Sequence, residues 1–276
     1  MRLALPTACA GLLLTGLLAA CGPASTSSPD TVAALPAPPL DTAAYPMAEG
    51  FNQAGSDARA LHLADRVMRQ MGGYPAWQQT RLLGWSFLDG SYQLWDKYTG
   101  DFRWQKDSLV AVYNLDSQEG RAYRAGQDIS GTQEGRQLLA DMYPTWVNNS
   151  WWLVMPFKLK DAGVTLTYKG TGKFMDGTPA EVLSMTFQKV GVTPENRYDI
   201  FINPRTNLVE EWSFYRNAQD AQPAFHRRWA DYRRTGRLLL ASDRTDGKDG
   251  RRLTHVVALD SVPASVMQSP RPIQPL

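Results

Sequence analysis

The pattern of apolar and polar positions changes period near Thr80. Before it, Leu61, Ala64, Met68 and Met71 recur at helical spacing, with Leu63 and Val67 alongside. That spacing puts them on one face of an amphipathic helix. Ser56 is its expected N-cap, and Gly72-Gly73 ends it. After Thr80 the period falls to two. Leu83, Trp85 and Phe87 alternate with Gly84 and Ser86, and Tyr92 and Leu94 flank Gln93. Runs of the same kind follow at Phe102–Gln105, Leu109–Leu115, Trp151–Met155, Val164–Lys169, Ala180–Phe187 and Arg197–Ile202. They continue at Leu208–Tyr215, Phe225–Tyr232, Gly236–Ser242 and Leu253–Leu259. Asp89-Gly90, Thr99-Gly100, Asp176-Gly177, Asn203-Pro204, Asp246-Gly247 and Asp249-Gly250 punctuate them. Connections this short make neighbouring strands antiparallel. One further helical segment, Thr132 to Tyr143, reads as a short insertion. Roughly ten or eleven strands in one open sheet would curl or split, which leaves a barrel, a sandwich or a strongly curved sheet wrapped on the helix.

The run from Trp151 to Met155 raises a particular question, because Trp151 and Trp152 are adjacent. On a strand, neighbours point to opposite faces. Trp151, Leu153 and Met155 would then form one row, and Trp152 and Val154 the other. Parity does not say which row is inward; the first, longer row is the favoured one.

The ends of the chain belong to neither pattern. Residues 1–20 carry Arg2 and a broken apolar run, and resemble a secretory signal. Leu18-Ala19-Ala20-Cys21 matches a bacterial lipobox, which implies cleavage before Cys21 and lipid attachment on it. Several acyl chains on one residue give stable membrane anchoring. Gly22 follows in place of the aspartate that would favour inner-membrane retention, so the expected location is the outer membrane, facing the periplasm. Residues 21–50 are rich in Pro, Ala, Ser and Thr and read as a lipidated start with a disordered linker. The β domain is expected at 51–262 and a flexible tail at 263–276. Removing the first 20 of the 276 residues leaves 256, enough for one good-sized domain. The only other cysteine, Cys9, falls inside the signal, so the mature chain has no internal disulfide. A net charge of +2, with only short basic groups, does not suggest nucleic-acid binding.

A lipobox, a tether, one amphipathic helix and a long antiparallel meander resemble the unclosed-barrel superfamily of lipoprotein carriers, which includes LolA and LolB. The stretches LWDKYTGDFRW, NNSWWLVMPFKLKDAGV, DGTPAEVLSMTF and YDIFINPRTNLVEEWSFYR are similar to outer-membrane lipoprotein-sorting proteins. The resemblance covers about Asp57 to Leu259. It implies a mainly β fold, a large curved antiparallel half-barrel with a helical lid and a concave apolar face. On that fold the groove candidates are Trp85, Phe87, Trp104, Trp151, Leu153, Met155 and Trp212. An arginine inside the sheet closes the lid in known carriers; Arg81 and Arg103 qualify by sheet position only, and neither is assigned that role.

No catalytic constellation stands out. His62, His226 and His255 lack a metal-ligand spacing, and no nucleophile elbow or phosphate-binding glycine loop appears. Glu210-Glu211 would face opposite sides of a strand. No cofactor or metal is expected, and a monomer is. The leading expectation is a non-enzymatic, membrane-anchored protein that binds a lipid, a lipoprotein acyl chain or a similar amphiphile. The alternative is a structural or protein-interaction module with a packed core, because composition does not separate a groove from a core.

Overall fold

The computed structural model describes residues 45–188 and 192–276. Residues 1–44, and with them the signal, the lipobox Cys21 and most of the linker, lie outside the described residues.

The described chain is mainly β and antiparallel, with an N-terminal helix and a helical insertion, as the sequence predicts. Two helices, α1 (Ala58–Gln70) and α2 (Gly73–Gln79), precede the strands β1 (Leu82–Ser86), β2 (Tyr92–Asp96), β3 (Asp101–Lys106), β4 (Leu109–Asn114), β5 (Glu119–Arg124) and β6 (Gln127–Asp128). The insertion is α3 (Gln133–Ala140) and α4 (Met142–Val154), closed by a 3-10 turn at Met155–Phe157. Then come β7 (Val164–Lys173), β8 (Pro179–Phe187), β9 (Arg197–Ile202), β10 (Val209–Tyr215), β11 (Phe225–Arg228), β12 (Ala230–Thr235), β13 (Leu238–Asp243), β14 (Thr254–Leu259) and a short α5 (Ala264–Gln268). The strands divide into a seven-stranded sheet, β14-β1-β2-β3-β4-β5-β6, a five-stranded sheet, β11-β10-β9-β8-β7, and the pair β12-β13. No sheet closes into a barrel among the described residues. Division rather than one continuous sheet is the expected fate of so many twisted strands.

The inner faces of both large sheets share one core with α1 and the end of the insertion. Leu61, Ala64, Met68 and Met71 are buried there as the helical period requires. The same face of α1 also buries Asp65, which pairs with the equally buried Lys160. Two charges leave water together because each neutralises the other.

Four expectations change. Ser56 is not the cap of α1: Asp57 holds that position, while the Ser56 hydroxyl donates to the Asn52 carbonyl and accepts from the Leu166 N–H. The domain begins before residue 51, since the Tyr45 hydroxyl donates to the Phe157 carbonyl (2.7 Å) and Lys160 donates to the Tyr45 carbonyl (3.2 Å). The run from Trp151 to Met155 is not a strand but the end of α4 and its 3-10 turn. An apolar run of five residues fits either period. Burial of Trp152, Leu153, Val154 and Met155 from several sides suits a helix sunk in the core. Pro144 fits in the first turn of α4, where an N–H has no intrahelical partner anyway.

The fourth change is at the end of the chain. Residues 263–276 are packed on the outer face of the seven-stranded sheet, not free of the domain. Arg103 donates to the carbonyls of Ser269 (2.6 Å) and Arg271 (2.6 Å). Gln105 donates to the Ile273 carbonyl (2.7 Å) and accepts from its N–H (3.0 Å), and Tyr92 Oη accepts from the Leu276 N–H (3.1 Å). Met267 completes a small apolar cluster with Leu82, Tyr92 and Leu94. The sequence rhythm misses this because a short helix of five residues followed by a proline-rich extended stretch carries no clear period of its own; its order comes from side chains on β2 and β3.

Candidate functional site, an aromatic cavity under the fourth helix

Register fixes the site. On the inner face of the five-stranded sheet, Met185 pairs with Tyr198, Tyr198 with Phe214, and Phe214 with Phe225. Side chains directly opposite one another on antiparallel strands share a face, so these four form a continuous row across β8 to β11. Trp212, one step along β10 on the same face, stacks against Tyr198 with centroids 5.5 Å apart.

Helix α4 lies over this row. Trp151 contacts Tyr198 at 4.6 Å and Phe187 at 5.8 Å. Trp152 stands edge-on to Trp212 at 5.0 Å and stacks on Phe225 at 5.9 Å. On a helix, adjacent residues are about 100° apart rather than opposed, so both tryptophans reach the same sheet. That answers the question raised by their adjacency in sequence.

Between helix and sheet remains a cavity of about 450 Å³. Its walls come from α4 (Tyr143, Trp146, Val147, Asn148, Ser150, Trp151, Trp152), the following loop (Lys158, Asp161, Ala162) and the start of β7 (Val164). The remainder comes from β8 (Met185, Phe187), the approach to β9 (Val192, Thr193, Asn196) and Tyr198, Trp212, Phe214 and Phe225. The volume falls within the range of about 300–1,000 Å³ common for small-molecule pockets. The two charged wall residues, Lys158 and Asp161, pair with each other at 3.1 Å. Burial raises the pKa of the Tyr198 phenol, so it is neutral at physiological pH. The indole N–H groups of Trp146, Trp151 and Trp212 and the Ser150 hydroxyl are buried without a hydrogen-bond partner in the protein.

The cover is tied down by Arg244. Pro156 has no N–H to offer the carbonyl of Trp152 four residues earlier. Arg244, fully buried, takes that carbonyl with Nε (2.9 Å) and Nη2 (2.7 Å). It also donates to the carbonyls of Asp243 and Ala241, and its guanidinium lies 3.5 Å from the centre of the Trp229 ring. Burial pushes its pKa down to about 9, which still leaves it charged at neutral pH. Neither arginine singled out in the sequence holds α4. Arg81 pairs with Asp96, and Arg103 holds the chain's last segment on the outer face.

Of the seven groove candidates, Trp151 and Trp212 line the cavity. Phe87 does not line it, but touches the back of Trp152 at 6.2 Å. Trp85, Trp104, Leu153 and Met155 are buried in the shared core instead. Leu153 and Met155 followed Trp151 only under strand parity, and the helix turns them away from the cavity. Sequence reading missed Trp152, Tyr198, Phe214 and Phe225. The alternation in YDIF and EWSFY already placed Tyr198 with Ile200 and Trp212 with Phe214; pairing those strands was the missing step.

The opposite face of the same sheet carries a polar row, Ser184–Asp199–Ser213–His226. Ser213 Oγ is 2.6 Å from His226 Nδ1, and His226 Nε2 is 2.7 Å from Glu211. The carboxylate fixes the tautomer that lets the serine hydroxyl donate to Nδ1. Glu211 also accepts from the Met175 N–H (3.0 Å), which anchors the β7–β8 turn. Ser213 is only 3% exposed, and through Glu211 the network braces the β7–β8 turn. No group of three or more His, Cys, Asp or Glu side chains among the described residues could hold a metal ion. No helix of the described residues is long and apolar enough to cross a membrane.

The fold and site define a mainly β protein of two large antiparallel sheets and a two-stranded one, with an aromatic cavity under a helix. No family model matches the sequence, and no curated protein matches it. Among solved structures, it is similar to a DUF1329 family protein from Desulfovibrio piger. The alignment has a TM-score of 0.37 and 12% identity, and covers 76% of this chain and 97% of that one.

Proposed function

We propose that this protein is a non-enzymatic cell-envelope lipoprotein that holds an apolar or amphiphilic ligand in the cavity between α4 and the five-stranded sheet. The single observation that carries the reading is the cavity itself: about 450 Å³ of space walled largely by aromatic side chains and left unfilled by the described residues. Affinity would come from apolar burial, at roughly 0.8 kcal/mol for each methylene removed from water. The lipobox ending at Cys21 supports anchoring to the outer membrane on the periplasmic side, and the tether of residues 22–44 would let the domain stand off the bilayer.

The test is native mass spectrometry of the chain with Cys21→Ser, followed by solvent extraction and identification of any bound molecule. A co-purifying amphiphile that is lost in Trp151→Glu, with the fold retained by circular dichroism, is the expected result. A protein that stays unliganded when lipids are offered would overturn the reading and favour a packed interaction module.

A further inference from the structure

We infer that the cavity selects a flat, fused-ring hydrophobic molecule with a small neutral polar end over a linear acyl chain or a free fatty acid. The inference rests on the cavity being a ligand site, and concerns only which class of ligand fits it.

The wall composition is the first argument. Nine of the twenty lining residues are aromatic, and none is leucine or isoleucine. Tryptophan and tyrosine present large, rigid faces that lose little conformational freedom on contact. A wall made for a flexible chain gains from adaptable side chains such as methionine, and Met185 is the one methionine here. The ring geometry is the second argument. Tyr198 and Trp212 lie within 21° of parallel, and Trp152 and Phe225 within 29°. Trp152 meets Trp212 edge-on at 88°. These rings brace one another, so the wall they form is rigid and does not reshape itself around a flexible chain. A polymethylene chain gains only from its buried area and loses rotamer freedom along its whole length, which a fused ring does not.

Charge is the third argument. Among the described residues, Lys158 and Asp161 are the only charged ones on the wall, and they neutralise each other. A carboxylate or phosphate brought into the cavity would find no uncommitted cation among the described wall residues, and burying it unpaired is costly. A hydroxyl or carbonyl needs only a hydrogen bond, and Asn148, Ser150, Thr193 and Asn196 supply polar groups on the wall.

The test is a competition of shapes and charges on the full chain carrying Cys21→Ser, read by quenching of tryptophan fluorescence. The probes are cholesterol, methyl palmitate and palmitate, each delivered from methyl-β-cyclodextrin. Cholesterol is expected to bind at least about tenfold tighter than methyl palmitate, or about 1.4 kcal/mol, and palmitate more weakly than its methyl ester. Trp151→Leu and, separately, Phe214→Leu should each shrink the cholesterol preference at least threefold; using two variants guards against one failing to fold. Cholesterol binding no tighter than methyl palmitate would overturn the fused-ring inference and leave the proposed function standing. Palmitate binding tighter than its ester would overturn the neutral-end part. If no probe binds in fluorescence or native mass spectrometry, both the inference and the function beneath it fall.

Discussion

Two apolar faces of this protein need a cover, and they receive different ones. The outer face of β1 to β3 is covered by the chain's own residues 264–276. Arg103, Gln105 and Tyr92 pair their backbone groups, and Met267 fills the apolar centre. The inner face of β8 to β11 is covered by α4, whose tryptophans touch the sheet at points and leave about 450 Å³ between them. Both covers are fastened by a buried arginine that donates to backbone carbonyls, Arg103 on one side and Arg244 on the other. What differs is fit. The short α5 and the extended stretch after it lie close on the sheet, whereas the longer α4, carrying bulky rings, stands away from it. A complete cover makes a structural element; an incomplete one leaves a cavity.

The largest expected effect separates core from wall on α4 itself. Leu153→Ala should cost about 2–5 kcal/mol in urea unfolding, because its surroundings are filled. Trp151→Leu should cost about 1 kcal/mol, since that ring already borders empty space. Equal losses at the two positions would erase the distinction between them. Next, Arg244→Met leaves three carbonyls without their donor and should cost about 3 kcal/mol. It should also weaken ligand retention in native mass spectrometry, since the cavity's cover is no longer fastened.

Arg103→Met should cost less, about 2 kcal/mol, because the freed carbonyls can rehydrate once the last segment lifts. Limited proteolysis should then cut within residues 264–276 while ligand binding stays unchanged. Loss of binding in this variant would show the two covers to be coupled. The smallest effect concerns Asp96, at the end of the self-covered face. Burial alone would raise its pKa, but bonds from Arg81 and from the Tyr98 and Thr99 N–H groups outweigh this and lower it overall. Its contribution is therefore present above the unfolded carboxyl pKa of about 3.9 and is lost as pH falls through the lower folded value. Asp96→Asn should lose under about 1 kcal/mol at neutral pH, and the gap from the parent protein should narrow between about pH 5 and about pH 2, followed by urea midpoints.

The strands and their turns were legible because each depends on local chemistry. Gly90 and Gly177 sit at φ near 85°, where a left-handed backbone favours glycine, and each ends a strand where the dipeptides Asp89-Gly90 and Asp176-Gly177 predict. The buried stripe of α1 was legible for the same reason. Its partner was not: Asp65 reads as a solvated charge until Lys160, 95 residues away, is placed against it. The site was half legible. Trp212 and Trp151 stood out as aromatic residues on apolar runs, whereas Trp85 and Trp104 have the same local pattern and are core.

By itself, the sequence determined α1, most of the strands, the positions of the turns and the antiparallel pairing that short connections impose; it did not show α2, β6, the break between β11 and β12 or the length of α4. These follow from backbone periods and turn residues, which act over a few positions. Only the tertiary structure decided that Trp151 and Trp152 stand on a helix, that residues 264–276 close one face, and that the other face keeps a cavity. A cavity is the difference between the volume two surfaces enclose and the volume their side chains fill. Here those surfaces lie on α4 and on β8 to β11, far apart along the chain, so no local pattern contains the answer.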